Sequence, residues 1–210
     1  MTSNRIEWAR SMRRLFTRVA NIVLHPDREW QAIAQERRGA WQVFKRYLLP
    51  LTAIAPLAYH GGILARVGLP EDAIFREAFV QFLILSPLTN WLVSILGIYA
   101  IGAVIYLLAP FFGGQRDLSR AFIVAVYATT PVWLTCLVLI APIARFPLLG
   151  TVILIGAMHS CYLFYLGVHH VMRVPLNQAA EFTGIALLGS TLLTTILSYA
   201  AGAAGLLPLI

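Results

Sequence analysis

Five apolar stretches constrain this chain more than any other feature. They run at about 47–65, 85–108, 121–140, 148–169 and 183–206, and none contains an Asp, Glu, Lys or Arg. A helix that crosses a bilayer needs about 20 predominantly apolar residues, and these runs have that length. Of the 210 residues 59% are hydrophobic and 12% are charged, the second figure being about half the ~25% typical of soluble domains. A soluble fold of this size has too little interior for so much apolar surface. The expected architecture is an all-α integral membrane protein, with a membrane domain of five helices at 47–210 and a cytoplasmic basic segment at 1–46.

Ten of the sixteen Lys and Arg residues precede the first apolar run. Residues 3–24 place Trp8, Met12, Leu15, Phe16, Val19, Ile22 and Val23 on one helical face and Arg10, Arg13, Arg14 and Arg18 on the other. Such a helix suits the surface of an anionic membrane, and equally suits the protein's own cytoplasmic surface. His25-Pro26-Asp27 ends it, because proline cannot continue a helix. A second amphipathic helix is expected over 27–38, with Trp30, Ile33 and Ala34 on its apolar stripe. Arginines interleaved with Trp8, Phe16 and Trp30 invite a nucleic-acid reading, but the adjoining spans make lipid the simpler partner. Counting Lys and Arg on alternate sides of five spans gives thirteen with the N-terminus and three opposite, which predicts an N-in, C-out orientation.

Polar groups inside the spans are few. Pro131 removes a backbone donor and frees the carbonyl of Tyr127, which in lipid must find another partner; Thr129 and Thr130 are the nearest candidates. Pro56 and Pro87 similarly free carbonyls in spans one and two, so three kinked spans are expected. The absence of intramembrane charge argues against an ion-coupled carrier. His169 and His170, with Arg173, close span four on the same side as Arg116 and Arg120; these five join the N-terminal residues as candidates for contact with lipid headgroups or a partner. Cys136 and Cys161 fall inside spans and read as buried free thiols. His159, Met158 and the cysteines match no metal motif, and no nucleophile or phosphate-binding signature occurs. Neither a catalytic residue, a metal site nor a cofactor is assigned. Small residues at Ala186/Ser190 and Ala201/Gly205 suit close helix packing, within the chain or in a homo-oligomer.

Four segments, HPDREWQAIAQE (25–36), YLLPLTAIAPLA (47–58), FFGGQRDLSRAFIVAVYATTP (111–131) and YLFYLGVHHVMRVPLNQAAEFT (162–183), occur in an order that resembles the Yip-domain family of Ypt/Rab-interacting membrane proteins. The resemblance implies a five-pass helical domain with a cytoplasmic N-terminus. In eukaryotes the family is linked to Rab GTPases, vesicle traffic and membrane shaping. This chain lacks the acidic and aromatic cytoplasmic motif of those members, so it looks like a bacterial inner-membrane relative and Rab binding is not carried over.

The expected function is therefore non-enzymatic: binding lipid or protein partners and organising the membrane. A small transporter or channel for a lipid or neutral solute, built on Pro56, Pro87, Tyr127, Thr129, Thr130 and Pro131, is the alternative. A metal-handling protein is the third reading.

Overall fold

The computed structural model describes the backbone of residues 2–36, 39–140 and 146–203, and side chains from Met12 onward except at 37–38, 140–148 and 201. Two helices come first, α1 (Thr2–Leu24) and α2 (Pro26–Gln35). Five helical stretches long and apolar enough to cross a membrane follow: Ala40–Val67, Ala73–Phe112, Leu118–Leu139, Leu149–His170 and Leu176–Ala200. The described residues contain no strand.

Several boundaries differ from the sequence expectation for local reasons. The first span begins at Ala40 rather than at 47 and is assembled from α3 (Ala40–Val43), a π-helical turn (Phe44–Leu48), α4 (Leu49–Thr52) and α5 (Ile54–Val67). The π turn ends two residues before Pro50, and its i→i−5 bond from the Leu49 N–H to the Phe44 carbonyl widens the helix next to a proline that offers no donor. The second span is one helix, α6 (Ala73–Leu108), that runs through Pro87. It starts well before the expected crossing at 85, because the Asp72 carboxylate accepts from the N–H groups of Ile74 and Phe75 at 2.9 and 3.0 Å and caps the helix. The last helix, α10 (Leu176–Ala203), also begins early, directly after Pro175, so Gln178 and Glu181 lie on a helix rather than in a turn.

Span three is the centre of the domain. It is divided into α7 (Leu118–Ala128), α8 (Thr130–Thr135) and a 3-10 segment (Cys136–Ile140). Val124, Ala125 and Val126 have no exposed surface. The fourth span is α9 (Phe146–His170); α6 and α9 both pack against α7, and α10 packs against both α6 and α9. The polarity is arranged for lipid. Leu85, Leu92, Leu96, Leu154, Leu188 and Tyr199 are exposed, whereas Thr52, Ser86, Thr130, Thr183 and Ser190 are buried. Several buried hydroxyls are satisfied by carbonyls of their own helix, such as Thr183 on Ala179 and Thr52 on Leu48. Ala186 and Ser190 pack inside the chain; Gly205 and the side chain of Ala201 lie outside the described residues. Cys161 is exposed and Cys136 is half-buried, so the expected burial of both thiols does not hold.

The first two helices pack onto this bundle. Ile22 of α1 and Trp30 of α2 are fully buried, and Leu15, Val19 and Val23 lie against the same core. The Trp30 indole fits a notch made by Gly167, where an added Cβ would stand 2.9 Å from two ring carbons and 3.1 Å from Val124. Overpacking such a site costs about 1–3 kcal/mol. Gly167→Leu is therefore expected to lower the thermal stability of the detergent-solubilised full chain substantially, whereas Gly184→Ala, whose Cβ meets nothing within 4 Å among the described residues, leaves it near wild type; a fluorescence melting curve checks both.

Candidate functional site

The most elaborate polar arrangement lies where α1 and α2 meet the break in span three. The Arg18 guanidinium is bonded by Nη1 to Glu29 Oε1 and by Nη2 to Glu36 Oε1. Only 12% of the Arg18 and Glu29 side chains and 27% of Glu36 remain exposed. Glu29 and Glu36 stand seven residues apart at the two ends of α2, flanking buried Trp30 and Ile33, so a single arginine from α1 can bridge them. The guanidinium also lies 5.8 Å from the centroid of the Tyr127 ring, within cation–π range. Burial alone would push the Arg18 pKa down, but the bond to Glu36, with the charges around it, leaves it raised. Arg18 is therefore a fixed cation at any physiological pH.

Aromatic rings carry the arrangement into the bundle. Tyr127 meets Trp30 edge-on at 6.2 Å and Tyr47 at 4.5 Å. The Thr130 hydroxyl donates to the Tyr127 carbonyl at 2.8 Å, which is the carbonyl that Pro131 leaves without its usual donor. A hydroxyl has one proton to give, so the 2.8 Å contact between Tyr47 Oη and Thr130 Oγ1 has Tyr47 as donor. Thr129 returns its proton to Ala125 and Val126 instead. On the adjoining face of span one, Thr52 accepts from the Trp91 indole at 3.0 Å. Tyr127, Thr130 and Pro131 are thus engaged in packed, hydrogen-bonded contacts. Pro56 is buried in α5, and Pro87 is half-buried in uninterrupted α6, so the expected kink in span two is not a helix break.

A second junction joins the turns at this end of the bundle. Gly113, at φ 67°, lets the chain reverse after α6. The Gln115 N–H then reaches the Met172 carbonyl at 2.7 Å, and Arg120 Nη1 reaches the Val171 carbonyl at 3.1 Å. Asp117 caps α7 by accepting from the Arg120 N–H at 3.0 Å. Arg116 lies over the Tyr106 ring at 4.8 Å. His170 Nε2 donates to Asp27 Oδ1 and His169 Nδ1 to the Val174 carbonyl, each at 2.9 Å. Arg173 is exposed in the left-handed region at φ 58°.

The structure therefore divides the residues singled out from the sequence. Arg13, Arg14, Phe16, Arg116 and Arg173 are exposed. Trp30 is buried and Arg18 is bound to two carboxylates, so both are occupied within the chain rather than turned to a membrane. The side chains of Trp8 and Arg10 lie outside the described residues. Glu29, Glu36 and Tyr47 were missed as partners; the seven-residue spacing of two carboxylates around a Trp and an Ile was the available signal. Among the described residues no group of three or more His, Cys, Asp or Glu is placed to hold a metal ion.

Removing one partner of a buried ion pair strands the others without counter-charge. Arg18→Ala is expected to cost about 2–3 kcal/mol, below the range for fully buried pairs because Glu36 keeps some contact with water. It should also hasten proteolysis within α1 and α2. The triple variant Arg18→Met, Glu29→Gln, Glu36→Gln is expected to recover much of that loss, and thermal unfolding of the full chain in detergent reads both outcomes.

All four segments that carry the family resemblance meet in these two junctions, through Asp27, Glu29 and Trp30, then Tyr47, then Tyr127 and Thr130, then Gly167, His170 and Met172. A family model described as the Yip1 domain matches residues 20–204. The chain is similar to the inner membrane protein YohC of Escherichia coli strain K12, at 26% identity over 181 residues, covering 85% of this chain and 91% of the relative. The same protein from Escherichia coli O6:H1 strain CFT073 gives the same figures. No solved structure matches. The match runs from the end of α1 to the end of α10 and takes in both carboxylates that hold Arg18. This chain belongs to the Yip1 domain family.

Proposed function

We propose that this protein is a non-enzymatic, multi-pass protein of a bacterial inner membrane, with its N-terminus in the cytoplasm, and that it binds anionic lipid headgroups and organises the membrane around them. The observation that carries the reading is the way α1 is held. Arg18 and Ile22 fasten it to the bundle, while Arg13 and Arg14 remain exposed. Arg28, Lys45, Arg46, Arg116 and Arg173 are exposed as well. A clamped helix presents its charges at fixed positions and loses little further entropy when it meets lipid. The inner-membrane location rests on the likeness to the Escherichia coli inner membrane protein, and the orientation rests on the distribution of Lys and Arg.

Each Lys or Arg near an anionic membrane surface is worth about 1 kcal/mol. The full chain in nanodiscs of mixed phosphatidylglycerol and phosphatidylcholine is expected to retain phosphatidylglycerol preferentially when the lipids that co-purify after detergent extraction are weighed by mass spectrometry. Arg13→Glu with Arg14→Glu should reduce that enrichment by roughly tenfold, and raised salt should reduce it in the wild type. Equal retention of both lipids by the wild type contradicts the reading.

A further inference from the structure

An apolar groove of about 440 Å³ opens on the flank of the bundle, within the volume range of small-molecule sites. Spans one and three both begin at it, through Ala40 and Leu118, and span two passes it at Tyr99 and Gly102. It therefore lies near the boundary between bilayer and water, on the side of the bundle where α1 and α2 are attached. Its wall is a run of rings. Trp41 stacks on Phe44 at 5.3 Å, Phe44 meets Tyr99 at 6.1 Å, and Tyr99 stacks on Phe122 at 4.8 Å. Gly102 makes the floor, where an added Cβ would come within 3.3 Å of the Phe122 backbone.

The ends of the groove are polar. The Lys45 ammonium stands 4.4 Å over the Trp41 ring, which places a cation at one rim. Ser119 lines the groove and also lines a smaller cavity of about 190 Å³ whose other walls include Glu36, Asp117 and Arg120. An apolar slot with the Lys45 ammonium at its rim, at the depth where headgroups sit, complements an anionic amphiphile. A partner helix would fill the slot without needing the cation at its rim, and a free phosphate would leave the rings bare.

We propose that this groove is a phospholipid site, with one acyl chain along Phe44, Tyr99 and Phe122 and the phosphate at the rim beside Lys45. The proposal deepens the lipid-binding reading and rests on it, but uses residues distinct from Arg13 and Arg14. In the bilayer the Trp41 ring, 62% exposed, anchors the rim at the interface as tryptophans do. The nearby lysine then supplies the counter-charge for the phosphate.

The test is photo-crosslinking of the full chain in phosphatidylcholine vesicles containing a trace of phosphatidylglycerol with a diazirine along its acyl chain, the adducts being mapped by mass spectrometry. Adducts are expected to concentrate on Tyr99 and Phe122 over Leu188 and Leu192, which are exposed on α10. Ala40→Trp and Ser119→Phe each fill the groove from a different wall and should cut the Tyr99 and Phe122 adducts by roughly tenfold, with those on α10 unchanged. Lys45→Glu should reduce the yield from the phosphatidylglycerol probe more than that from a phosphatidylcholine probe. Adducts no denser at the groove than on α10, or insensitive to both filling substitutions, overturn the proposal. So does a covalent dimer formed through benzoylphenylalanine at position 99, which would assign the groove to a second copy of the chain. If the groove fails while the enrichment that depends on Arg13 and Arg14 persists, the site is wrong and the wider reading stands.

Discussion

A guanidinium withdrawn from water has to be surrounded by groups that replace its hydration, and here those groups come from different parts of the chain. Arg18 belongs to α1, its carboxylates to both ends of α2, and the ring beneath it to span three. Satisfying that one cation fixes the angle of α1 on α2 and brings the pair onto Tyr127. Trp30 completes the attachment by packing: among the described residues its indole N–H has no hydrogen-bond partner, and the ring is held between the Gly167 notch and Tyr127. The charged cluster supplies geometry while the tryptophan supplies buried apolar area, a division that suits the high desolvation cost of buried ion pairs.

The same junction solves a problem that the bilayer imposes. A proline in a membrane helix leaves a carbonyl that lipid cannot satisfy. At Pro131 the next residue back, Thr130, closes that bond and is itself held by Tyr47 from span one. The break in span three is therefore tied to span one by a hydrogen bond and to α2 by an edge-on ring contact. Thr52 and Thr183 follow the same economy, pointing inward and returning their protons to their own helices.

Much of this was legible in the sequence, and the reasons for the rest are specific. Span number followed from apolar run length, and the position of Pro131 pointed to Thr129 or Thr130 as donors to the Tyr127 carbonyl, of which Thr130 fills the role. The faces of α1 were only half legible. Ile22 and Val19 lie inward as their spacing predicts, but Phe16, assigned to the same apolar face, is 66% exposed. Arg18, on the polar face, is drawn inward because Glu29 and Glu36 are there to receive it. Helical periodicity describes one helix in isolation and carries no information about charges on its neighbour. Span ends were obscured for a related reason: Arg76 and Glu77 look like loop residues, yet the cap from Asp72 extends α6 to include them. The groove was not legible at all, since its walls come from three spans and none of its rings is unusual alone.

The central claim is that α2 is built into the membrane domain through Trp30 and the Arg18 cluster. Hydrogen–deuterium exchange of the full chain in nanodiscs measures this directly. The account requires the amides of Trp30–Gln35 to exchange slowly, with protection comparable to that of α7, and to lose it together with α1 when Arg18 is replaced. Exchange of those amides within seconds, as for a helix resting on the surface, while α7 stays protected, would contradict it.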